Sequence, residues 1–458
     1  MPNLNRPLSK HHEFCTAVAL QVMQVWQEEG IADCHYLPRM NYAGAANKHI
    51  NNYASGSGKM VDAAGNYYYV SHPPFAYYLP YACFSLLGIY PNVLAIQVFH
   101  LVVCFFSGLM VWKIAQLLTP NPAIPYLSVV FYWFSPAVLW FQANTYMADM
   151  LVQFFFIWGI LAALALLKKG NNWWRITSLC LSIFLMIYTS WLGVFFAFCC
   201  FLLFAFHPSD KRWQVPLLIA VSSTLALLLF AVQYAAIAGW DAYLAEMVQR
   251  GGQRTIGNAM SINSFVAIIS NYVFNYLPLL LLVPFGFRVR GAYWFPFTII
   301  ALLPVVLLHF VLTDYSGHDF TTLYAAPFIA LLVASNLTQA ILKARWVLVL
   351  LVLTLSVSQY YYINRPGDFS QSGEAYAAYQ GEGEFIAGHS DEDEIVLMLV
   401  KPEPQTIFYA HRNIKTVTNK EAAMAFLAER KWQKGILFAR DEKGCLVVAE
   451  KLSLPQNY

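Results

Sequence analysis

Residues 93–117, VLAIQVFHLVVCFFSGLMVWKIAQL, form an apolar run broken by the single charge of Lys113. As a helix rising 1.5 Å per residue, the run is long enough to cross about 30 Å of hydrocarbon. Comparable runs follow at 125–141, 149–168, 176–189, 191–206, 215–237, 263–285, 294–313, 321–341 and 346–363, which makes about ten candidate spans. With 59% hydrophobic and 12% charged residues in 458, the chain has more apolar surface than one water-soluble core can bury. The reading is an all-α polytopic membrane protein. Residues 1–92 form an extracytoplasmic first loop with interfacial helices, 93–363 the transmembrane domain, and 364–458 a small α/β extracytoplasmic domain.

The charges orient this arrangement. Lys168, Lys169 and Arg175, then Lys211 and Arg212, Arg288 and Arg290, and Lys343 and Arg345 fall in alternate connections, the positive-inside pattern of a cytoplasmic face. Alternation puts 142–148, 238–262 and 314–320 outside with both ends of the chain. Arg250 and Arg254 then lie on the outer side against the rule, where they either hold a phosphate or touch lipid headgroups. A net charge of +3, spread in short clusters, gives no footprint for nucleic acid. An outer loop preceding the first span has nothing to carry it across the membrane, so a further spanning helix is expected upstream of Met1.

The eight cysteines have neither zinc spacing nor a disulfide framework; Cys15 and Cys34 read as small buried hydrophobes, with a disulfide between them as the alternative. In the tail, Glu394–Val400, Gly435–Arg440 and Cys445–Lys451 read as strands and Lys420–Lys431 as an amphipathic helix.

Four polar groups share the outer side. His11-His12-Glu13 heads an amphipathic helix running to Gln27, where the carboxylate either serves chemistry or favours the helix N-terminus. Asp62 to Phe75 holds a Gly65-Asn66 turn, a strand from Tyr67 to Ser71, and His72-Pro73-Pro74 opening an interfacial helix to about Leu87. Asp149 closes the 144–149 segment at the outer end of a span; it either caps the helix or faces a wet interior. Asp314 to Phe320 carries His318 and Asp319 just before a span containing Pro327. Tyr67–Tyr69 and Tyr77-Tyr78 either anchor the interface or stack on a sugar ring.

An acidic first loop, a Gly-aromatic-His-Pro-Pro segment, many spans and a late His-Asp-Phe before a proline-containing helix resemble the polytopic glycosyltransferases of the GT-C fold. That family includes protein O-mannosyltransferases and aminoarabinose transferases. The resemblance implies a polyprenyl-phosphate sugar donor, a lipid, glycan or protein acceptor, and chemistry at the outer face of a bacterial inner membrane. By position it makes Glu13 the general base, with His12 where the family often has Asp, and gives Asp149 a place near the acceptor or a divalent metal. His12, His72, His318 and Asp319 become substrate-binding residues, and Arg250 and Arg254 with Lys48 or Lys59 become phosphate ligands. Glu13, His72 and Asp149 are thereby expected in one cavity. The sequence assigns no cofactor, a divalent metal being the one candidate. The competing reading is a lipid transporter or flippase without catalysis, against which stand the absence of a repeat and charges placed at span ends.

Overall fold

The computed structural model describes residues 4–9, 12–52, 58–207, 213–254, 262–280, 291–341 and 373–454, with 349, 352–353 and 355–357. His11, Lys211, Arg212, Arg288, Arg290, Lys343 and Arg345, with most of the expected span 346–363, lie outside the described residues.

The first loop is built around α1 (Glu13–Glu29), buried along most of its length rather than amphipathic. A hairpin follows, β1 (Lys59–Val61) antiparallel to β2 (Tyr67–Tyr69) with Met60 opposite Tyr68. Its turn contains Gly65 at φ +82°, a backbone conformation open to glycine, and Asp62 accepts the Asn66 N–H at 2.9 Å. Pro74 then leads into α2 (Phe75–Leu87).

The membrane domain begins with α3 (Val93–Leu118), capped by Asn92, whose side chain accepts from the Ala95 N–H. The expected span 125–141 is two helices, α4 (Ala123–Trp133) and α5 (Pro136–Asn144), bent by 58°. Pro136 causes the break: it excludes the helical region for Ser135, which is extended, and then starts the next helix. Helix α6 (Ala148–Lys169) has Asp149 in its first turn and Lys168 and Lys169 in its last, charges that complement its dipole. Its 22 residues rise about 33 Å, which puts Asp149 and the lysines at opposite ends of a membrane-crossing length. Next come α7 (Trp173–Ile187), α8 (Leu192–Phe206), α9 (Gln214–Ala238), α10 (Trp240–Arg254) and α11 (Ile262–Leu280). The last described group is α12 (Trp294–Ala301), α13 (Leu303–Val311), the short turn α14 (Thr313–Ser316), a 3₁₀ stretch Asp319–Ala325 and α15 (Ala326–Ile341). Among the described residues five helical paths are long and apolar enough to cross a membrane, six if α4 and α5 count as one. Helices α7 and α8 are apolar but shorter, at 15 residues each.

The tail forms a four-stranded mixed sheet in the order β4-β3-β5-β6, from β3 (Ile395–Met398), β4 (Ile414–Thr416), β5 (Lys434–Arg440) and β6 (Leu446–Ser453). β3 runs parallel to β4 and β5, and β6 is antiparallel to β5. Helices Gly373–His389, Pro404–Ala410 and Lys420–Glu429 complete it. This unit is bolted to the first loop. Asn413 donates through its backbone N–H to Asn47 at 2.8 Å and through its amide to the Asn47 carbonyl at 2.7 Å, while its Oδ1 accepts from Asn52 at 3.0 Å. The Tyr409 hydroxyl oxygen accepts from the Leu8 N–H at 3.0 Å, just ahead of α1.

Candidate active site

Two connected hollows lie where the first loop meets the Asp149 end of α6 and the helix ends beside it. The larger is an apolar groove of about 410 Å³, walled by Trp191, Val194, Phe195, Leu227, Met247 and Leu312, with Arg250, Arg254, Ser71 and His72 on its polar side. The smaller is a chamber of about 130 Å³ lined by Phe14 and Cys15 of α1, Tyr69, Tyr77, Tyr146, Asp149 and His318. His72, Arg254 and Tyr315 border both, so the two meet at that point.

Asp149 is 0% exposed. It does not cap α6: Met147 holds the N-cap position, without a side-chain bond. Instead the hydroxyls of Tyr315 and Tyr324 both donate to Oδ1. Oδ2 has no hydrogen-bond partner among the described residues, although it is buried. Such an atom is uncommon in a folded protein. His72 is buried beside it with Nδ1 unpartnered. Burial, opposed by Asp149 and reinforced by Arg254 and Arg250, pushes the His72 imidazole down to about 4, so it is neutral at physiological pH. His318 is also lowered by burial and by the nearby His12 and Arg254; its Nδ1 lies 3.1 Å from the Tyr315 carbonyl.

Arg250 and Arg254 line the groove, and Arg254 also borders the chamber. Arg250 donates from Nε to Ser71 Oγ at 2.9 Å, and the Arg254 guanidinium lies 5.2 Å from the centre of the Tyr315 ring. Lys59 sits in β1, next to Gly58, whose N–H is accepted by Glu246 of α10. Burial, with Lys401 and Arg250 adding to it and Glu246 opposing, brings the Lys59 ammonium down to about 7.

Five of the expected site residues, Glu13, His12, Asp319, Lys48 and Lys59, line neither hollow. Glu13 lines neither hollow; Arg6 clasps it with both terminal nitrogens, one at 2.9 Å, and its carboxylate also accepts the Ser9 N–H. Burial raises its carboxyl while Arg6 and Ser9 pull it back. The reason is rotational: successive helical residues are about 100° apart, and Phe14 and Cys15 take the chamber side of α1. His12 and Asp319 also line neither hollow but pair with each other, Nε2 to Oδ1 at 3.0 Å, with His12 edge-on to Phe320. Lys48 ends the short 3₁₀ turn Ala45–Asn47, where the neighbouring Ala46 and Ile50 pack against Ile395 and Leu427 of the tail. Its place is the seam with the sheet unit rather than the hollows.

Of the expected residues, His72, Asp149, Arg250, Arg254 and His318 do come together. The two tyrosines on Asp149, the groove walls and Cys15 were not assigned from sequence. Cys15 and Cys34 are both free thiols. Among the described residues no group of three or more His, Cys, Asp or Glu is placed to hold a metal ion.

Neither a family model nor a curated protein matches the sequence. Solved structures do match in fold. ArnT from Cupriavidus metallidurans bound to undecaprenyl phosphate superposes with a TM-score of 0.52 at 11% identity, over 93% of this chain and 92% of that one. The apo state of the same protein gives 0.53 at 11% identity, over 96% and 90%. The oligosaccharyltransferase AglB from Archaeoglobus fulgidus, in complex with an inhibitory peptide and a dolichol-phosphate, gives 0.53 at 10% identity, over 100% of this chain and 73% of that one. The chain thus has the GT-C fold, that of the polyprenyl-phosphate glycosyltransferases ArnT and AglB.

Proposed function

We propose that this protein transfers a sugar from a polyprenyl-phosphate donor to an acceptor hydroxyl or amine at the extracytoplasmic face of a bacterial inner membrane. The observation that carries this reading is the junction of an apolar groove with a polar chamber at two arginines and an incompletely bonded buried carboxylate. The prenyl chain lies along Trp191, Phe195 and Leu227, the phosphate is gripped by Arg250 and Arg254, and the sugar enters the chamber. Asp149 is the general base. Its Oδ2 takes the proton of the acceptor as the acceptor atom attacks the anomeric carbon; the bond from that carbon to the phosphate oxygen breaks, and polyprenyl phosphate leaves on the arginines. One displacement inverts the anomeric centre. Neutral His72 and His318 hydrogen-bond the sugar or phosphate without adding charge. If a divalent ion takes part, Asp149 is the residue here that would contact it.

Glu13 holds the start of α1, and with it Phe14 and Cys15, against Arg6. The test is sugar transfer by purified Asp149→Asn and Glu13→Gln proteins with labelled prenyl-phosphate sugars. Loss of turnover in the first, with normal folding and donor binding, supports the assignment; wild-type turnover in the first overturns it. Translocation of intact donor without release of lipid phosphate would establish a flippase instead.

A further inference from the structure

Helix α10 begins one residue beyond the end of span α9, at Gly239. At about 100° per residue its side chains divide into three sectors. Tyr243, Met247, Arg250 and Arg254 turn inward: the tyrosine is buried and the other three line the groove. Asp241, Ala245, Gln249 and Gln253 form a mainly polar sector. The third sector is Trp240, Leu244 and Val248, spaced i, i+4 and i+8, which are 52%, 53% and 75% exposed and have no charged residue among them.

We propose that α10 is a membrane-surface helix that seats Trp240, Leu244 and Val248 in the boundary between acyl chains and headgroups of the outer leaflet. Such a seat removes the apolar row from water, at about 25 cal/mol per Å² of surface covered, and leaves the polar sector wet. The occupant is lipid because the row follows directly on the exposed apolar face of a helix long and apolar enough to cross a membrane: Leu225, Leu228 and Val232 of α9 are 54%, 52% and 53% exposed. Trp240 stands at the join, the level where tryptophan is enriched. A row of three side chains is also far smaller than the roughly 20–30 residues per side of a stable protein interface. Because the inward sector of the same helix carries Arg250 and Arg254, this seat fixes the groove mouth at headgroup depth. That consequence rests on the proposed function; the membrane seat does not.

The test uses the full chain in lipid nanodiscs, with the exposed thiol removed by Cys445→Ser. Spin labels are attached after Leu244→Cys, Val248→Cys, Ala245→Cys or Gln249→Cys, one per protein, and collision rates with oxygen and with a water-soluble nickel chelate are measured. Labels at 244 and 248 should favour oxygen at least fivefold over those at 245 and 249. Equal, water-like ratios at all four positions overturn the proposal, as does shielding of 244 and 248 from both reagents, which would show a protein partner. A second measurement addresses the groove mouth. Leu244→Glu with Val248→Glu should lower transfer from a long-chain prenyl-phosphate sugar at least tenfold while sparing a detergent-soluble short-chain donor. Equal loss with both donors refutes the link to the mouth. No turnover of any donor by the unsubstituted protein would strike the glycosyltransferase reading and leave the labelling result to decide the seat.

Discussion

Glu13 and Asp149 are both carboxylates in the first turn of a helix, 1% and 0% exposed, and the family resemblance implied a part in the reaction for both. Their partners separate them. Glu13 is gripped by a guanidinium and a backbone N–H, so its charge is compensated where it stands. Asp149 has two neutral phenols on one oxygen and, among the described residues, no hydrogen-bond partner on the other. A buried ion pair is a structural clamp whose partners depend on each other. A buried carboxylate with a vacant acceptor, in a cavity, is suited to receiving a proton from something that arrives. Burial of an acid therefore says little about its task until the partners are known.

The largest effect should come from Asp149→Asn, which keeps the shape and the tyrosine contacts but removes the base. A loss of about 10²–10⁴ in turnover is expected from removal of general-base catalysis, with thermal stability close to the parent. Glu13→Ala should do the reverse. Removing one member of a buried pair leaves Arg6 uncompensated at a cost of about 3–5 kcal/mol, to be read as a lower unfolding temperature and membrane yield. Arg6→Met with Glu13→Leu should recover much of that stability. A folded, inactive Glu13→Gln protein would break the comparison. Tyr315→Phe should be milder, about tenfold in turnover, because Tyr324 still holds Asp149 Oδ1; the double change to phenylalanine should approach the Asp149→Asn loss. Additive, small effects of the two tyrosines would deny them a role in positioning the carboxylate.

What sequence revealed follows from which interactions are local. The apolar runs of α3, α6 and α9, the Gly65-Asn66 turn, the Pro74 start of α2 and the strands β5 and β6 all depend on neighbours in the chain, and these appear in the structure. The break at Pro136 was also local, but the apolar run on both sides concealed it. Helix Pro404–Ala410 and strand β4 are short and stand against the first loop, so no periodicity announces them. His72, Asp149, Arg250, Arg254 and His318, which line the hollows, were visible in the sequence as polar groups assigned to one side of the membrane. Rotation around α1 was not, and one step of it separates Glu13 from the chamber. Tyr315 and Tyr324 are two of 28 tyrosines, and nothing in their neighbours marks them as donors to a residue more than 160 positions earlier. The groove walls have the same composition as any lipid-facing surface.

The smallest expected effect concerns the cations rather than the acids. Lys59, brought down to about 7 beside Arg250 and Lys401, loses its proton in the neutral range while the arginines keep theirs. Since the folded value lies below that of the unfolded chain, the unfolded chain binds more protons between about pH 7 and pH 10, and this residue's contribution to stability rises with pH across that window. Affinity for a phosphate should move the other way, because the charge that attracts it is disappearing. A prenyl phosphodiester, whose own charge is constant here, should bind about twofold to threefold more weakly at pH 8 than at pH 6, a difference of under 1 kcal/mol. Lys59→Arg should flatten the binding profile. Affinity and stability rising together with pH would detach Lys59 from the anion site and leave Arg250 and Arg254 as the groove's phosphate ligands.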